Sequence, residues 1–139
     1  MKNVFLVFLM GMAVLLTIFS CATAPKQPVG AGEMRLLSID APQGGGVIAN
    51  TENWFTINFV AADNPEIRRA CFQFLGDSLE CVDVRQRYVT LGSRANFRVP
   101  LLMPKGEGVL TCYVEYVRNG ETQRTNTVSS FVNSYESYH

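Results

Sequence analysis

Histidine is almost missing from this sequence: the single copy, His139, is the last residue, where chains usually fray. A Ser-His-Asp or Cys-His arrangement, which needs an imidazole held against a nucleophile, is therefore not expected. No Cys-x-x-Cys pair occurs, which removes the usual redox motif and the close thiolate spacing a metal would use. A surplus of charge is lacking too, with 12 basic residues against 12 acidic ones, so there is no electrostatic case for nucleic acid. The glycine run Gln43-Gly44-Gly45-Gly46 leads into Val47-Ile48 rather than a helix and has no lysine partner, so it reads as a loop between strands and not as a phosphate cradle. From Met34 onward no window sustains a helical period. No cofactor and no metal are expected.

What is present begins with Lys2 and an uncharged apolar run from Val4 to Phe19, short for a helix spanning a bilayer of ~30 Å hydrocarbon. A positive start, an apolar core and Ser20 just ahead of Cys21 have the layout of an export signal. The tetrapeptide Ile18-Phe19-Ser20-Cys21 resembles the lipobox of bacterial lipoproteins, although Phe19 is bulkier than the small residues the family favours there. The resemblance implies that residues 1–20 are removed, that Cys21 is acylated, and that Ala22 in the next position sends the protein to the outer membrane. A plain secretory cut near Ala22-Thr23-Ala24 and an uncleaved anchor stay open as alternatives. Each acyl chain contributes ~0.8 kcal/mol per buried methylene, so two or three chains hold firmly where one holds weakly. Residues 21–33 then form the anchored cysteine and a linker carrying Pro25, Pro28, Gly30 and Gly32, of which residues 22–32 reach ~35 Å at most.

Residues 34–133 have the length of one domain, followed by a polar-aromatic tail at 134–139. Runs of β-branched and aromatic residues broken by Gly, Pro, Asn and Asp predict strands at 34–41, 46–49, 54–61, 67–75, 79–84, 87–91, 95–101, 109–118 and 121–132. In the third, Phe55, Ile57 and Phe59 alternate with Thr56 and Asn58, the pattern of a half-buried strand. Asn119-Gly120 suits a type I′ turn and sets Arg118 opposite Glu121 and Glu115 opposite Arg124. Carried further, that register puts Thr125, Thr127 and Ser129 on the core face, so a bulge near Asn126 is expected to return Val128 inward. Short antiparallel strands in this number predict an all-β two-layer sandwich. The stretches Asn96–Leu101 and Gly106–Val117, with Thr125–Ser129, are similar to the E, F and G strands of bacterial immunoglobulin-like and fibronectin-III-like domains. The resemblance covers roughly residues 34–132 and implies an immunoglobulin-like antiparallel β-sandwich, with Trp54 away from the family's usual core tryptophan.

Of the remaining cysteines, Cys71 and Cys81 lie equidistant from Gly76 around an expected Gly76-Asp77 turn and face one another if the hairpin is regular, in a compartment where disulfides persist. Cys112 shares the inward face with Leu110 and Val114 and reads as a buried thiol. A Cys71–Cys112 bridge is the rival pairing.

These features point to a membrane-anchored, non-catalytic binding or assembly module of the bacterial envelope. Its expected partner is an envelope protein or glycan, with acyl chains on Cys21 engaging the membrane. Trp54 and Tyr113 are expected to face outward beside Arg69, Arg85 and Arg87 as contact residues. Two other readings compete. In one, Trp54 and nearby tyrosines stack on the sugars of a glycan or of peptidoglycan; in the other, loop carboxylates among Asp63, Glu66, Asp77, Glu80 and Asp83 hydrolyse one. Solvated turn acids account for the carboxylates more simply.

Overall fold

The strand that organises the domain is the one whose alternation is plainest. Phe55, Ile57 and Phe59 point inward and are fully buried, while Trp54, Thr56 and Asn58 point out and are half-buried. The computed structural model describes residues 30, 32–43, 46–84, 89–91 and 94–137, the side chains of 89–91 aside. The expectations for residues 1–20, Cys21, Arg85, Arg87 and His139 lie outside the described residues. The strands are β1 (Met34–Asp40), β2 (Val47–Ile48), β3 (Glu52–Ala61), β4 (Glu66–Phe74), β5 (Asp77–Ser78), β6 (Val82–Asp83), β7 (Val89–Leu91), β8 (Arg94–Leu102), β9 (Gly106–Arg118), β10 (Glu121–Arg124) and β11 (Val128–Tyr135).

They form a β-sandwich. One sheet has the order β1-β3-β8-β7, the other β2-β11-β9-β4-β5, with β10 also on β9 and β6 on β4. These orders follow the ABED and GFC sheets of the immunoglobulin plan. The pairing is antiparallel except where β2 runs parallel to β11, so the expected antiparallel sandwich carries one parallel edge. Between the sheets Phe55, Ile57 and Phe59 of β3 and Phe97, Val99 and Leu101 of β8 meet Ala70, Phe72 and Phe74 of β4 and Leu110, Cys112 and Val114 of β9. Phe59 and Phe97 pack as tilted rings 5.8 Å apart, a favoured aromatic geometry.

Asn119 and Gly120 both take positive φ, 52° and 79°, as a type I′ turn requires. Arg118 pairs with Glu121 and Glu115 with Arg124, as the sequence predicts. Beyond Arg124 the chain gains one residue relative to β9, and β11 resumes with Val128 opposite Cys112. This is the expected bulge, and Val128 packs against the core. The displaced Asn126 serves the other sheet. Its Oδ1 accepts the Leu36 backbone N–H at 2.8 Å and its Nδ2 donates to the Leu36 carbonyl at 3.1 Å. The side-chain amide thus acts as one extra rung for β1 at that strand's own bulge, between Leu36 and Ser38, and ties the two sheets together.

Most strand ends differ from expectation by one to three residues, and two differences matter for the site. Of the predicted strand 79–84 only β6 (Val82–Asp83) forms, with β5 (Asp77–Ser78) ahead of it, because the β4–β5 turn is Leu75-Gly76 and the ladder shifts by one residue before Val82. At the other end β11 runs on to Tyr135 and buries Ser134, so both belong to the sheet and not to the predicted tail.

Candidate functional site

Strand parity sends two sets of polar side chains to opposite outer faces. On the larger sheet, cross-strand neighbours Arg69 of β4, Glu115 of β9 and Arg124 of β10 form one row, with Asp83 of β6 opposite Arg69. Glu115 is only 6 % exposed although it faces outward. It accepts a hydrogen bond from Arg69 Nε on one oxygen and from Arg124 Nε at 3.3 Å on the other. The Arg69 hydrogen bond, helped by the positive charge of both guanidiniums, holds the Glu115 carboxyl below its ordinary pKa against the opposing effect of burial. The same bond holds the Arg69 pKa above its ordinary value. Arg124 also lies over the Tyr113 ring, its Cζ 4.7 Å from the centroid, a cation–π contact.

Tyr113 in turn sits opposite Cys71. Cys71 is bonded to Cys81, with their Cα atoms 4.1 Å apart. Extending the β4–β6 register by one residue sets these two cysteines face to face, so the one-residue shift between β5 and β6 is also what aligns the disulfide. Cys71 is buried despite its outward parity. A hollow of about 210 Å³ lies beside the bridge, lined by Gln73, Leu79, Thr111 and Tyr113 among others. Further along the same face Val109 and Phe131 are direct cross-strand partners, 52 % and 65 % exposed.

The outer face of the smaller sheet is built differently. Asp40, Thr56 and Arg98 form a row across β1, β3 and β8, with Trp54 opposite Pro100 in the next outward row. A groove of about 470 Å³ runs between the 40–43 segment and this row, lined by Asp40, Trp54, Thr56, Asn58 and Arg98 among others. Arg98 Cζ stands 5.5 Å from the Trp54 ring centroid. Asn58 Nδ2 donates to Asp40 Oδ2 at 2.6 Å and to Ser38 Oγ at 2.9 Å.

The predicted contact residues therefore divide. Arg69 and Tyr113 share the larger sheet's face, while Trp54 lies on the opposite side of the sandwich. Among the described residues no tyrosine lines the Trp54 groove. Glu115, Arg124 and Phe131 complete one face, and Asp40, Asn58 and Arg98 the other. For Glu115 and Arg124 the available signal was the hairpin count from Asn119-Gly120. Phe131 could have been placed only after the bulge was counted in.

Cys112 is buried, and burial pushes its thiol up to about 12, which leaves it neutral and unreactive. Among the described residues no three His, Cys, Asp or Glu side chains come together as a metal site. The carboxylates weighed for hydrolysis stand away from both hollows. Asp63 accepts the Gly32 N–H at 3.2 Å, Glu66 pairs with Arg68 at 2.8 Å, and none of the five lines either hollow. No protein-family model matches the sequence, and no curated protein matches it either.

Proposed function

We propose that this protein is a non-catalytic binding module of the bacterial envelope, tethered through an acylated Cys21 and engaging a protein partner with the outer face of its larger sheet. The observation that carries the reading is the exposed Val109–Phe131 pair on the same face as the Arg69–Glu115–Arg124 row. Arginine and aromatic side chains around an apolar contact, with few unpaired charges, are the composition of protein interfaces. The two arginines are already oriented by Glu115, so docking orders them at reduced entropic cost. The anchor and linker confine the face near the membrane and raise its effective concentration toward other envelope components.

The test is crosslinking of the full-length protein in intact envelopes, followed by purification and mass spectrometry. One envelope protein should be enriched saturably, lost in Phe131→Asp and reduced in Cys21→Ser. Equal recovery by all three forms would sink the proposal. Mass measurement of the purified chain, showing residues 1–20 removed and Cys21 acylated, checks the anchor separately; an unmodified mature chain would refute it.

A further inference from the structure

The groove of the smaller sheet belongs to neither the disulfide-bearing face nor the proposed protein contact, and its chemistry is distinctive. We propose that it is a binding site for a neutral carbohydrate, independent of the reading above. Trp54 supplies a flat aromatic surface, and the negative face of such a ring attracts the polarised C–H edges that a pyranose presents on its apolar side. Pro100, opposite Trp54, and Leu102, 66 % exposed, carry outward positions beyond it on the same face. On the other side of the ring lies the polar row.

The donor and acceptor pattern suits hydroxyl groups. Both Asn58 amide hydrogens are committed, to Ser38 and Asp40, which leaves its Oδ1 as an acceptor. The Asp40 carboxylate adds further acceptors, and the Arg98 guanidinium supplies a fork of donors across the groove. A sugar hydroxyl both donates and accepts, so a cleft with acceptors on one wall and donors on the other satisfies it from two sides. Asp40 and Arg98 contribute one charge of each sign, and among the described residues no other ionisable side chain lines the groove. Such a balance gives no net attraction for an anionic polymer and favours an uncharged ligand. The volume, about 470 Å³, is within the range of small-ligand sites. All of these groups except the 41–43 segment stand on paired strands, so the site is largely formed in advance.

Trp54 is the only tryptophan in the sequence, so the intrinsic fluorescence of the full-length protein reports on this groove directly. The protein, held in a detergent without a sugar headgroup, is titrated with cellotetraose, maltotetraose and chitotriose, and with trigalacturonate as the anionic comparison. A saturable fluorescence change with at least one neutral oligosaccharide is expected, with weaker binding of trigalacturonate. Asp40→Asn and Arg98→Gln should each weaken it by about five-fold or more, the loss of one hydrogen bond. Both groove substitutions are at exposed positions, and their melting midpoints establish folding; if one melts early, the other decides. Failure of all three neutral sugars to saturate at millimolar concentration, tighter binding of trigalacturonate, or full affinity in a folded groove variant would overturn the proposal. None of these outcomes bears on the protein-binding face, whose test uses other residues.

Discussion

The two outer faces use one design element, a polar row across three strands, and end with opposite chemistry. On the larger sheet the central strand β9 contributes an acid, and its neighbours on both sides are arginines. On the smaller sheet the central strand β3 contributes Thr56, with Asp40 and Arg98 on its flanks. A charge at the centre reaches both neighbours at one strand spacing, about 4.8 Å, and the row closes over itself. An uncharged centre leaves the flanking charges two spacings apart, roughly 10 Å, and that gap is the groove. The residue on the middle strand therefore decides whether a row becomes a sealed cluster or an open cleft. The sealed cluster leaves apolar Val109 and Phe131 as the exposed feature of its face, and the open one leaves its donors and acceptors.

The largest expected effect separates the faces by loosening only one. Removing the disulfide with Cys71→Ala and Cys81→Ala together should lower stability by ~2–3 kcal/mol, given the short loop it closes, and the melting midpoint by roughly 10–20 °C. Hydrogen exchange should rise in β5 and β6 while the groove's sugar response persists; equal loosening of β1 and β3 would mean the faces are not separable. Next in size is Asn126→Ala, which strips both partners from the Leu36 backbone and should cost about 2 kcal/mol. Because that amide joins the sheets, both faces should weaken together in chemical denaturation; a loss below about 0.5 kcal/mol, the level of an ordinary surface substitution, would show that water replaces it.

Much of this was readable from residue types alone, for identifiable reasons. Alternation in Phe55-Thr56-Ile57-Asn58-Phe59 dictates which side chains are buried because a strand's period is fixed. Asn119-Gly120 sets the hairpin register because few residue pairs accept two positive φ angles. The Asn126 bulge followed from requiring Val128 to be inside, and the Cys71–Cys81 pairing from symmetry about Gly76. The turn itself proved to be Leu75-Gly76, with Leu75 at φ 53°, an unusual state for a leucine that no propensity would select. Contacts between distant segments were not readable. Nothing local in Asn126 says that its amide will bind Leu36, and nothing in Val47-Ile48 says that it will run parallel to β11. The faces were missed for the same reason: Trp54 and Arg69 look equivalent until the sheets are assigned, and Glu115 looks like a surface acid until both arginines are found beside it.

A smaller effect probes the sealed row. Glu115→Gln keeps the shape and removes the charge, and should cost about 1 kcal/mol near neutrality because the arginines remain largely exposed. The pH dependence is the sharper reading. The folded-state pKa of Glu115 lies below its ordinary value of 4.5, so its contribution is fully present above that value and is lost as pH falls through the folded pKa. Arg69 stays protonated throughout. Stability measured by urea unfolding at successive pH values should therefore fall more steeply below about pH 4.5 in the parent than in Glu115→Gln. Parallel acid limbs would mean that the two guanidiniums do not stabilise the carboxylate.

The smallest effect on stability falls on the substitution that most directly attacks the comparison. Thr56→Glu installs on β3 the central acid that β9 carries, next to Arg98 on one side and Asp40 on the other. Thr56 is half-buried on the outward face and its side chain makes no hydrogen bond among the described residues, so the fold should change by no more than ~0.5 kcal/mol. The new carboxylate is expected to draw the Arg98 guanidinium off the Trp54 ring and to repel Asp40, closing the donor wall of the groove while doubling its negative charge. The Trp54 emission should shift in the absence of any sugar, and the response to neutral oligosaccharides should disappear. Thr56→Gln, which has nearly the same length without the charge, separates crowding from electrostatics. If Glu abolishes the response and Gln only weakens it, charge at the middle strand is what distinguishes the faces; if both abolish it alike, the distinction lies in the width of the gap rather than in the sign of what fills it.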